Sequence, residues 1–396
     1  FMQEKGFPGW QATIPIAATV LIIMAGKDAI LNRWILSNKV LVWFGLISYP
    51  MYLWHWPLIS MRRIVALEAP STIYCAVAFV ACTVLAWLTT KLIENPLRFG
   101  EYEKAKTIGL FMVMVALGGA GYVIFQKNGL LKRFPKDIQV LQRLLAQKFH
   151  EKNSGFNTPC YVELKNDTDY MECRNLLENV IDSRKKTIVL WGDSQAAAFV
   201  PGFKKYFASD FNIIQRTKSG CPAIGRDASP ECAKTVKFIS NEIKQLRPSI
   251  VILSARWGLK QYKNSIKNFN KTIDLLREYG VKNIIVIGPV PDWQRVLPKE
   301  ALLYYRKKNS FPLRMNKLNK EMTYIYDNKI GELSREKGVY YVSSVKLLCN
   351  DTGCQIRDNG IESIFYFDES HLTNIGSEYL VGKMKKEIDL ILKRPL

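Results

Sequence analysis

The segment TIVLWGDSQAAAF, residues 187–199, decides the fold of the second half of this chain. Its first residues form an apolar run, which is typical of a buried strand. The run stops at Gly192-Asp193-Ser194, and small residues that favour a helix follow. Ser194 therefore lies where a strand turns into a helix, either as part of a turn or as a nucleophile held at the end of the strand.

Apolar runs alternate with amphipathic segments from this point to the C-terminus. Further strands are predicted at 211–215, 249–254, 283–288 and 339–343, and helices at 231–246, 264–279, 315–337 and 375–393. Val/Ile-rich strands that alternate with helices are typical of a doubly wound parallel sheet. Five such strands favour the flavodoxin-like order 2-1-3-4-5, in which ligands bind beyond the carboxyl end of the first strand, where Ser194 lies.

Apolar blocks dominate the first 126 residues instead. Blocks 40–60, 71–93 and 107–125 each have about the ~20 residues that are needed to cross a bilayer, and 11–25 is a shorter candidate. Lys and Arg are concentrated in 26–39 and 94–106, which the positive-inside rule places in the cytoplasm, so the last span delivers the remaining chain to the far side. The chain does not begin with Met, and we expect a fragment of a longer protein.

Cysteine usage is consistent with that topology. Six cysteines lie in the second half in three sequence-adjacent pairs: Cys160 and Cys173, Cys221 and Cys232, Cys349 and Cys354. An even number with short gaps favours disulfides in an oxidising compartment, although six cysteines allow 15 pairings. A zinc site is the alternative, but no C-x-x-C spacing occurs and histidine is scarce, so no metal site is predicted.

The formal net charge is +21, from 56 basic and 35 acidic residues. Outside the cytoplasm nucleic acid is not an expected partner, whereas anionic lipid headgroups and acidic polysaccharides are. A Lys-rich solvated surface with no specific partner explains the same composition.

A serine becomes a nucleophile when a base takes its proton and a third group orients that base. Of the three histidines, His55 lies in a predicted span and His150 in an irregular segment, whereas His371 follows Asp368 by three residues. At that spacing the carboxylate can bond one imidazole nitrogen while the other points to Ser194. Taken singly, the two motifs are also explained by a turn and by a helix start.

Gly192-Asp193-Ser194 and Asp368-x-x-His371 resemble the first and last sequence blocks of the SGNH (GDSL-like) hydrolase superfamily. The resemblance implies that Ser194 is the nucleophile, His371 the general base and Asp368 its orienting partner. Gly220, in KSGCPAIG (218–225), matches the block that supplies an oxyanion-hole N–H, with the N–H of Ser194 as another donor.

The third block departs from the family pattern. SGNH hydrolases usually place Gly-x-Asn-Asp after the third strand, with the Asn as a further oxyanion donor. Here the strand ends ILSARWGL (252–259), without Asn. Arg256 and Trp257 lie at that point, and the sequence assigns the donor to neither.

The first half resembles the closing helices of the membrane acyltransferase-3 family, in FGLISYPMYLWHWPL (44–58) and KLIENPLRF (91–99). Proteins of that family are often fused through an extra span to a periplasmic SGNH domain. The resemblance implies a multidomain chain: a bundle of transmembrane α-helices followed by an α/β flavodoxin-like three-layer domain with a parallel sheet. Its parts are the acyltransferase-3 helices (1–99), an additional span (100–127), an extension (128–186) and the SGNH domain (187–396).

Such fusions resemble O-acetyltransferases of lipopolysaccharide O-antigen and other surface glycans. The resemblance implies a protein of the bacterial inner membrane that carries acetyl groups, ultimately from acetyl-CoA, to Ser194 and then to a sugar hydroxyl of a surface polysaccharide or lipid-linked glycan. No bound cofactor is expected. An extracytoplasmic esterase with the same triad is the alternative, and a catalytically inactive glycan-binding module on a membrane anchor is a third interpretation.

Overall fold

The computed structural model describes residues 9–66, 69–99, 101–147, 154–162, 173, 181–223, 230–258 and 263–393. The chain divides into two compact units, Phe1–Gly129 and Leu130–Leu396.

All regular secondary structure among the described residues of the first unit is helical. Its α-helices are α1 (Thr13–Met24), α2 (Lys39–Leu46), α3 (Ser48–Ala66), α4 (Thr72–Thr89), α5 (Asn95–Phe99) and α6 (Glu103–Gln126), with π-helical segments at Leu31–Leu36 and Thr90–Glu94. In this part of the chain, two helices are long and apolar enough to cross a membrane: the continuous helix Thr72–Phe99, with 28 residues, and α6, with 24. They coincide with the predicted spans 71–93 and 107–125.

The predicted span 40–60 does not form one continuous helix. The segment is divided at Ile47 into α2 and α3. Pro50 lies in the first turn of α3 and has no N–H to donate to the carbonyl of Leu46, so one hydrogen bond is missing at this break. The weaker candidate, 11–25, forms the 12-residue α1, which is shorter than a bilayer requires.

The second unit is built on a six-stranded parallel sheet. Its strands, in spatial order, are β1 (Tyr161–Val162), β3 (Phe211–Lys218), β2 (Lys186–Gly192), β4 (Ile250–Ser254), β5 (Asn283–Ile287) and β7 (Tyr340–Val342). The five predicted strands are β2, β3, β4, β5 and β7, and their order is the predicted 2-1-3-4-5. A small antiparallel sheet joins β6 (Arg314–Met315), β9 (Gly353–Gln355) and β8 (Cys349–Asn350).

Helices cover both faces of the parallel sheet. They are α7 (Lys136–Gln147), α8 (Ser194–Phe207), α9 (Pro230–Leu246), α10 (Lys263–Glu278), α11 (Leu297–Lys308), α12 (Tyr326–Glu336), α13 (Ser344–Leu348) and α14 (Asn374–Lys393). Successive strand residues point to opposite faces, so Ile188 and Leu190 enter one core with α8, α11 and α14. Val189 and Trp191 enter the other, with α9, α10 and α12. The unit therefore has three layers.

Two local predictions differ from the structure. The predicted helix 315–337 begins with the end of β6 and becomes helical only from the π-helical segment Glu321–Ile325 into α12. The extension 128–186 is not wholly irregular, because α7 and β1 lie in it. β1 adds to the edge of β3 through Tyr161–Thr217 and Val162–Lys218 pairing, a contact that a two-residue strand cannot reveal by periodicity.

The six cysteines of the second unit form disulfides, as predicted, and of the 15 possible pairings the structure has the sequence-adjacent one, Cys160–Cys173, Cys221–Cys232 and Cys349–Cys354. The last closes the β8–β9 hairpin, because Cys349 and Cys354 are also paired across these strands.

Replacing Cys349 by alanine should destabilise the second unit while leaving the chemistry intact. The bridge closes a loop with a sequence separation of 5, for which loop entropy predicts about 2 kcal/mol of stabilisation. Thermal unfolding and ester turnover below the melting temperature would measure both effects. Cys75→Ala, which removes a free cysteine, is the matched control. An unchanged melting temperature would contradict a stabilising role of this bridge.

Candidate active site

The turn after β2 places Ser194 at the first residue of α8. Asp193 caps the helix: its Oδ1 accepts a hydrogen bond from the N–H of Gln195 at 2.8 Å. Its Oδ2 accepts a second from the N–H of Arg256 at 2.9 Å, which ties the turn to the end of β4. Burial raises the pKa of the Asp193 carboxyl, and these two backbone hydrogen bonds oppose that shift. Asp193 therefore holds the turn in place through its hydrogen bonds to α8 and to the segment after β4.

Gly192 allows this turn to lie against the neighbouring strand. A Cβ atom at this position would lie 1.8 Å from the carbonyl oxygen of Ser254 and 2.8 Å from the Cβ of Ala196. A side chain would push β4 and α8 away from the turn, so the glycine is required for close packing.

Ser194, His371 and Asp368 converge in one hydrogen-bonded chain. The Oγ of Ser194 lies 2.8 Å from Nε2 of His371, and Nδ1 of His371 lies 2.6 Å from Oδ2 of Asp368. The other oxygen of Asp368 accepts hydrogen bonds from the N–H groups of Ser370 and His371, each at 2.8 Å. With Nδ1 as donor to the carboxylate, Nε2 is the nitrogen that accepts a hydrogen bond from the hydroxyl.

The carboxylate of Asp368 is held in its ionised form. Burial opposes ionisation, but the hydrogen bond and charge of His371, together with the two backbone N–H groups, outweigh it and lower the pKa of this carboxyl. The loop that contains Asp368 and His371 is held by the segment after β5. The N–H of Trp293 donates to the carbonyl of Glu369 at 2.8 Å, and the N–H of Leu297 donates to the carbonyl of Asp368 at 3.2 Å.

Two aromatic rings flank the imidazole. Phe367 stacks on His371 with a centroid distance of 5.7 Å and an interplanar angle of 8°, and Phe156 meets it edge-on at 5.7 Å and 90°. Phe156 belongs to the extension, which also docks through a 2.6 Å hydrogen bond from Gln215 Nε2 to the carbonyl of Gly155. The sequence analysis missed Phe156, and only nearby Cys160 indicated that this segment is fixed.

Replacing Phe156 by alanine should lower the turnover number about 2- to 10-fold, because an edge-on aromatic pair contributes about 0.5–1.5 kcal/mol to holding the ring. Rates of acetyl-ester hydrolysis by wild type and F156A would measure the loss. Phe156→Leu, which keeps apolar bulk without a ring, separates packing from ring orientation. A wild-type rate in F156A would show that the extension does not position His371.

Gly220 follows β3 at the same edge of the sheet as Ser194. It has a left-handed backbone, φ +64°, which glycine adopts without strain. Its N–H has no acceptor among the residues that the structure describes. The N–H of Ser194, at the first helical position, has no intrahelical acceptor either. The helix dipole adds partial positive charge there, so both groups remain suited to the predicted oxyanion hole.

Of the two side chains after β4, Trp257 is buried and its indole N–H donates to the carbonyl of Ile287 at 3.2 Å. Arg256 is partly exposed and pairs with Asp292. Burial raises the pKa of Asp292 to about 6; the charge and hydrogen bond of Arg256 oppose this shift, and the charges of Glu369 and Asp368 reinforce it.

The remaining histidines are not part of this cluster. His55 lies in α3 of the first unit, where its Nδ1 contacts the carbonyl of Tyr52, and it lines a cavity of about 440 Å³ between α3 and α4. His150 falls outside the described residues. Across the described ranges, no group of three or more His, Cys, Asp or Glu side chains is arranged to hold a metal ion.

Comparison with known proteins places this site in a family. The family model described as the SGNH domain fused to AT3 domains matches residues 159–386. The chain belongs to this family. Over 86 residues it is 34% identical to the peptidoglycan O-acetyltransferase OatA of Listeria monocytogenes, an alignment that covers 22% of this chain and 14% of OatA.

The SGNH domain also resembles a solved structure, the periplasmic domain of the lipopolysaccharide acetyltransferase of Salmonella ser. Paratyphi A. The TM-score is 0.53 at 26% sequence identity, and the superposition covers 63% of this chain and 97% of that one. These comparisons confirm the resemblance to SGNH domains fused to acyltransferase-3 proteins and the α/β fold with a parallel sheet.

Proposed function

We propose that this chain is part of a membrane O-acetyltransferase that acetylates a sugar hydroxyl of a bacterial surface polysaccharide, such as lipopolysaccharide O-antigen. The hydrogen-bonded chain from Ser194 through His371 to Asp368, with distances of 2.8 Å and 2.6 Å, is the observation that carries this proposal. The relatives named as peptidoglycan and lipopolysaccharide acetyltransferases support a glycan acceptor.

The first half of the reaction loads the serine. Ser194 Oγ attacks the carbonyl carbon of the acetyl donor while its proton passes to Nε2 of His371, and Asp368 stabilises the imidazolium. The N–H groups of Ser194 and Gly220 bind the carbonyl oxygen as it becomes negative. When the tetrahedral intermediate collapses, His371 returns the proton to the departing donor group and the acetyl ester of Ser194 remains.

The second half transfers the acetyl group. A sugar hydroxyl, rather than water, gives its proton to His371 and attacks the acetyl-serine ester. Collapse of the second intermediate releases the acetylated sugar, and the proton returns from His371 to Ser194 Oγ. Acetyl-CoA on the cytoplasmic side is the proposed ultimate donor, and the fused acyltransferase-3 domain is the proposed carrier of acetyl groups across the bilayer.

The proposed location is the bacterial inner membrane, with several spans and the SGNH domain in the periplasm. Two observations support this placement. The helices Thr72–Phe99 and Glu103–Gln126 are long and apolar enough to cross a membrane, and the bridges of the second unit require oxidising conditions to persist.

A chromogenic acetyl ester, with and without surface glycan as acceptor, tests transfer against hydrolysis. Wild type should release the chromophore and form acetylated glycan detectable by mass spectrometry, and S194A should do neither. If the ester is hydrolysed but added glycan is never acetylated, the result would favour the esterase alternative. Absence of turnover in wild type, together with measurable glycan binding, would favour the binding module. Mass analysis of surface glycans with and without the gene tests the same function in the cell.

A further inference from the structure

The segment after β4 lies beside the nucleophile. Gly192 of β2 is paired in register with Ser254 of β4, so Arg256 follows its strand by the same two residues as Ser194 follows its own. The hydrogen bond from Arg256 N–H to Asp193 Oδ2, at 2.9 Å, fixes this alignment. The side chain of Arg256 therefore begins beside Asp193, the residue that precedes Ser194.

The guanidinium of Arg256 is held by Asp292 through two of its three nitrogens. Nε and Nη2 each lie 2.7 Å from Oδ2 of Asp292. The side chain of Asp292 is 3% exposed and that of Arg256 is 22% exposed. The carboxylate of this pair is therefore buried, and the guanidinium is partly accessible to solvent. Nη1 has no acceptor among the residues that the structure describes. A guanidinium held at one edge keeps its remaining N–H groups oriented for another anion.

Among the described residues 255–258, two side chains carry N–H donors, Arg256 and Trp257. The backbone N–H of Arg256 is occupied by Asp193, and the indole N–H of Trp257 is buried and donates to Ile287. Within the described residues 255–258, where SGNH hydrolases usually carry the oxyanion-binding Asn, the side-chain donor that remains is the guanidinium of Arg256.

We propose that Arg256 is the side-chain donor of the oxyanion hole, held in place by Asp292. This inference rests on the proposed function, since the oxyanion arises when Ser194 Oγ bonds to the acetyl carbonyl carbon and the carbonyl electron pair moves to oxygen. Arg256 donates an N–H to that oxygen and offsets its charge. The electron pair returns when the intermediate collapses, and Arg256 neither gains nor loses a proton because guanidinium remains charged.

The test uses the purified full chain in detergent with 4-nitrophenyl acetate. Removing Arg256 alone would leave Asp292 as an unpaired buried carboxylate, which is strongly destabilising. The comparison is therefore between D292N, whose amide oxygen still accepts hydrogen bonds from Arg256, and the double variant R256A/D292N, which differ only at the arginine. We expect kcat of R256A/D292N to fall about 10²-fold below that of D292N with KM within about twofold, as for loss of one oxyanion donor.

The variant R256N/D292N introduces the usual family donor and should recover part of the lost kcat. Melting temperatures confirm that the compared proteins are folded, and R256M/D292N, which keeps much of the aliphatic stem, replaces R256A/D292N if the latter does not fold. Equal kcat in D292N and the arginine-free variant, or a change confined to KM, would overturn the inference. Absence of turnover in wild type would contradict the proposed function itself, and the inference would fall with it.

Discussion

Ser194→Ala should lower acetyl-ester turnover about 10⁴- to 10⁶-fold, because no other group in the hydrogen-bonded chain with His371 and Asp368 can form the acyl-enzyme. His371→Ala should cause a loss of similar size, since the hydroxyl then has no base at 2.8 Å. The double variant should be scarcely slower than either single variant, because residues that act as one unit do not contribute additively.

The measurement is kcat/KM for acetyl-ester hydrolysis, with melting temperature as the check on folding. Ser209→Ala, which alters an exposed serine at the opposite end of α8, is the matched control and should keep wild-type activity. Losses that multiply in the double variant would show that Ser194 and His371 act independently, and the triad assignment would then be wrong.

Gly192→Ala should unfold or severely destabilise the second unit, by more than about 4 kcal/mol, a range reached when a core clash cannot relax. The added Cβ would approach the carbonyl oxygen of Ser254 to 1.8 Å, and that oxygen belongs to the backbone of the central strand β4. Since β4 is itself paired with β5, relief of the overlap would displace several strands.

Thermal unfolding and resistance to limited proteolysis would measure this effect. Gly280→Ala is the matched control: it lies in a turn with φ +80° and open space around its Cβ, so only the backbone cost of about 1 kcal/mol applies. A melting temperature of G192A equal to that of G280A would show that β2 and β4 do not approach as closely as described.

The order of the strands, and the edge of the sheet at which the site lies, were predictable from the sequence for a physical reason. Strands buried on both faces are nearly continuous Val/Ile runs, so β2, β4 and β5 are visible without knowledge of their neighbours. Parallel strands end at one edge of the sheet, which allowed Ser194 and the Asp368–His371 loop to be placed together although 177 residues separate the serine from the histidine.

The features that the sequence did not reveal depend on tertiary contacts. Phe156 has a role only because its segment docks on α8 and β3, and the two-residue strand β1 carries no periodic signal. The break at Ile47 was hidden by hydrophobicity, which does not distinguish one long helix from two. The donor after β4 could not be chosen by residue type, because Arg256 and Trp257 both carry N–H groups and only burial separates them.

Each disulfide adjoins a different part of the candidate active site. Cys160–Cys173 lies in the segment of Phe156, Cys221–Cys232 begins beside Gly220, and Cys349–Cys354 closes the hairpin that precedes the loop of His371. A polypeptide kept under reducing conditions would contain every reactive side chain but none of these three disulfides. The arrangement of these side chains would therefore be less stable in a reducing environment than in an oxidising one, although every reactive group is present in both.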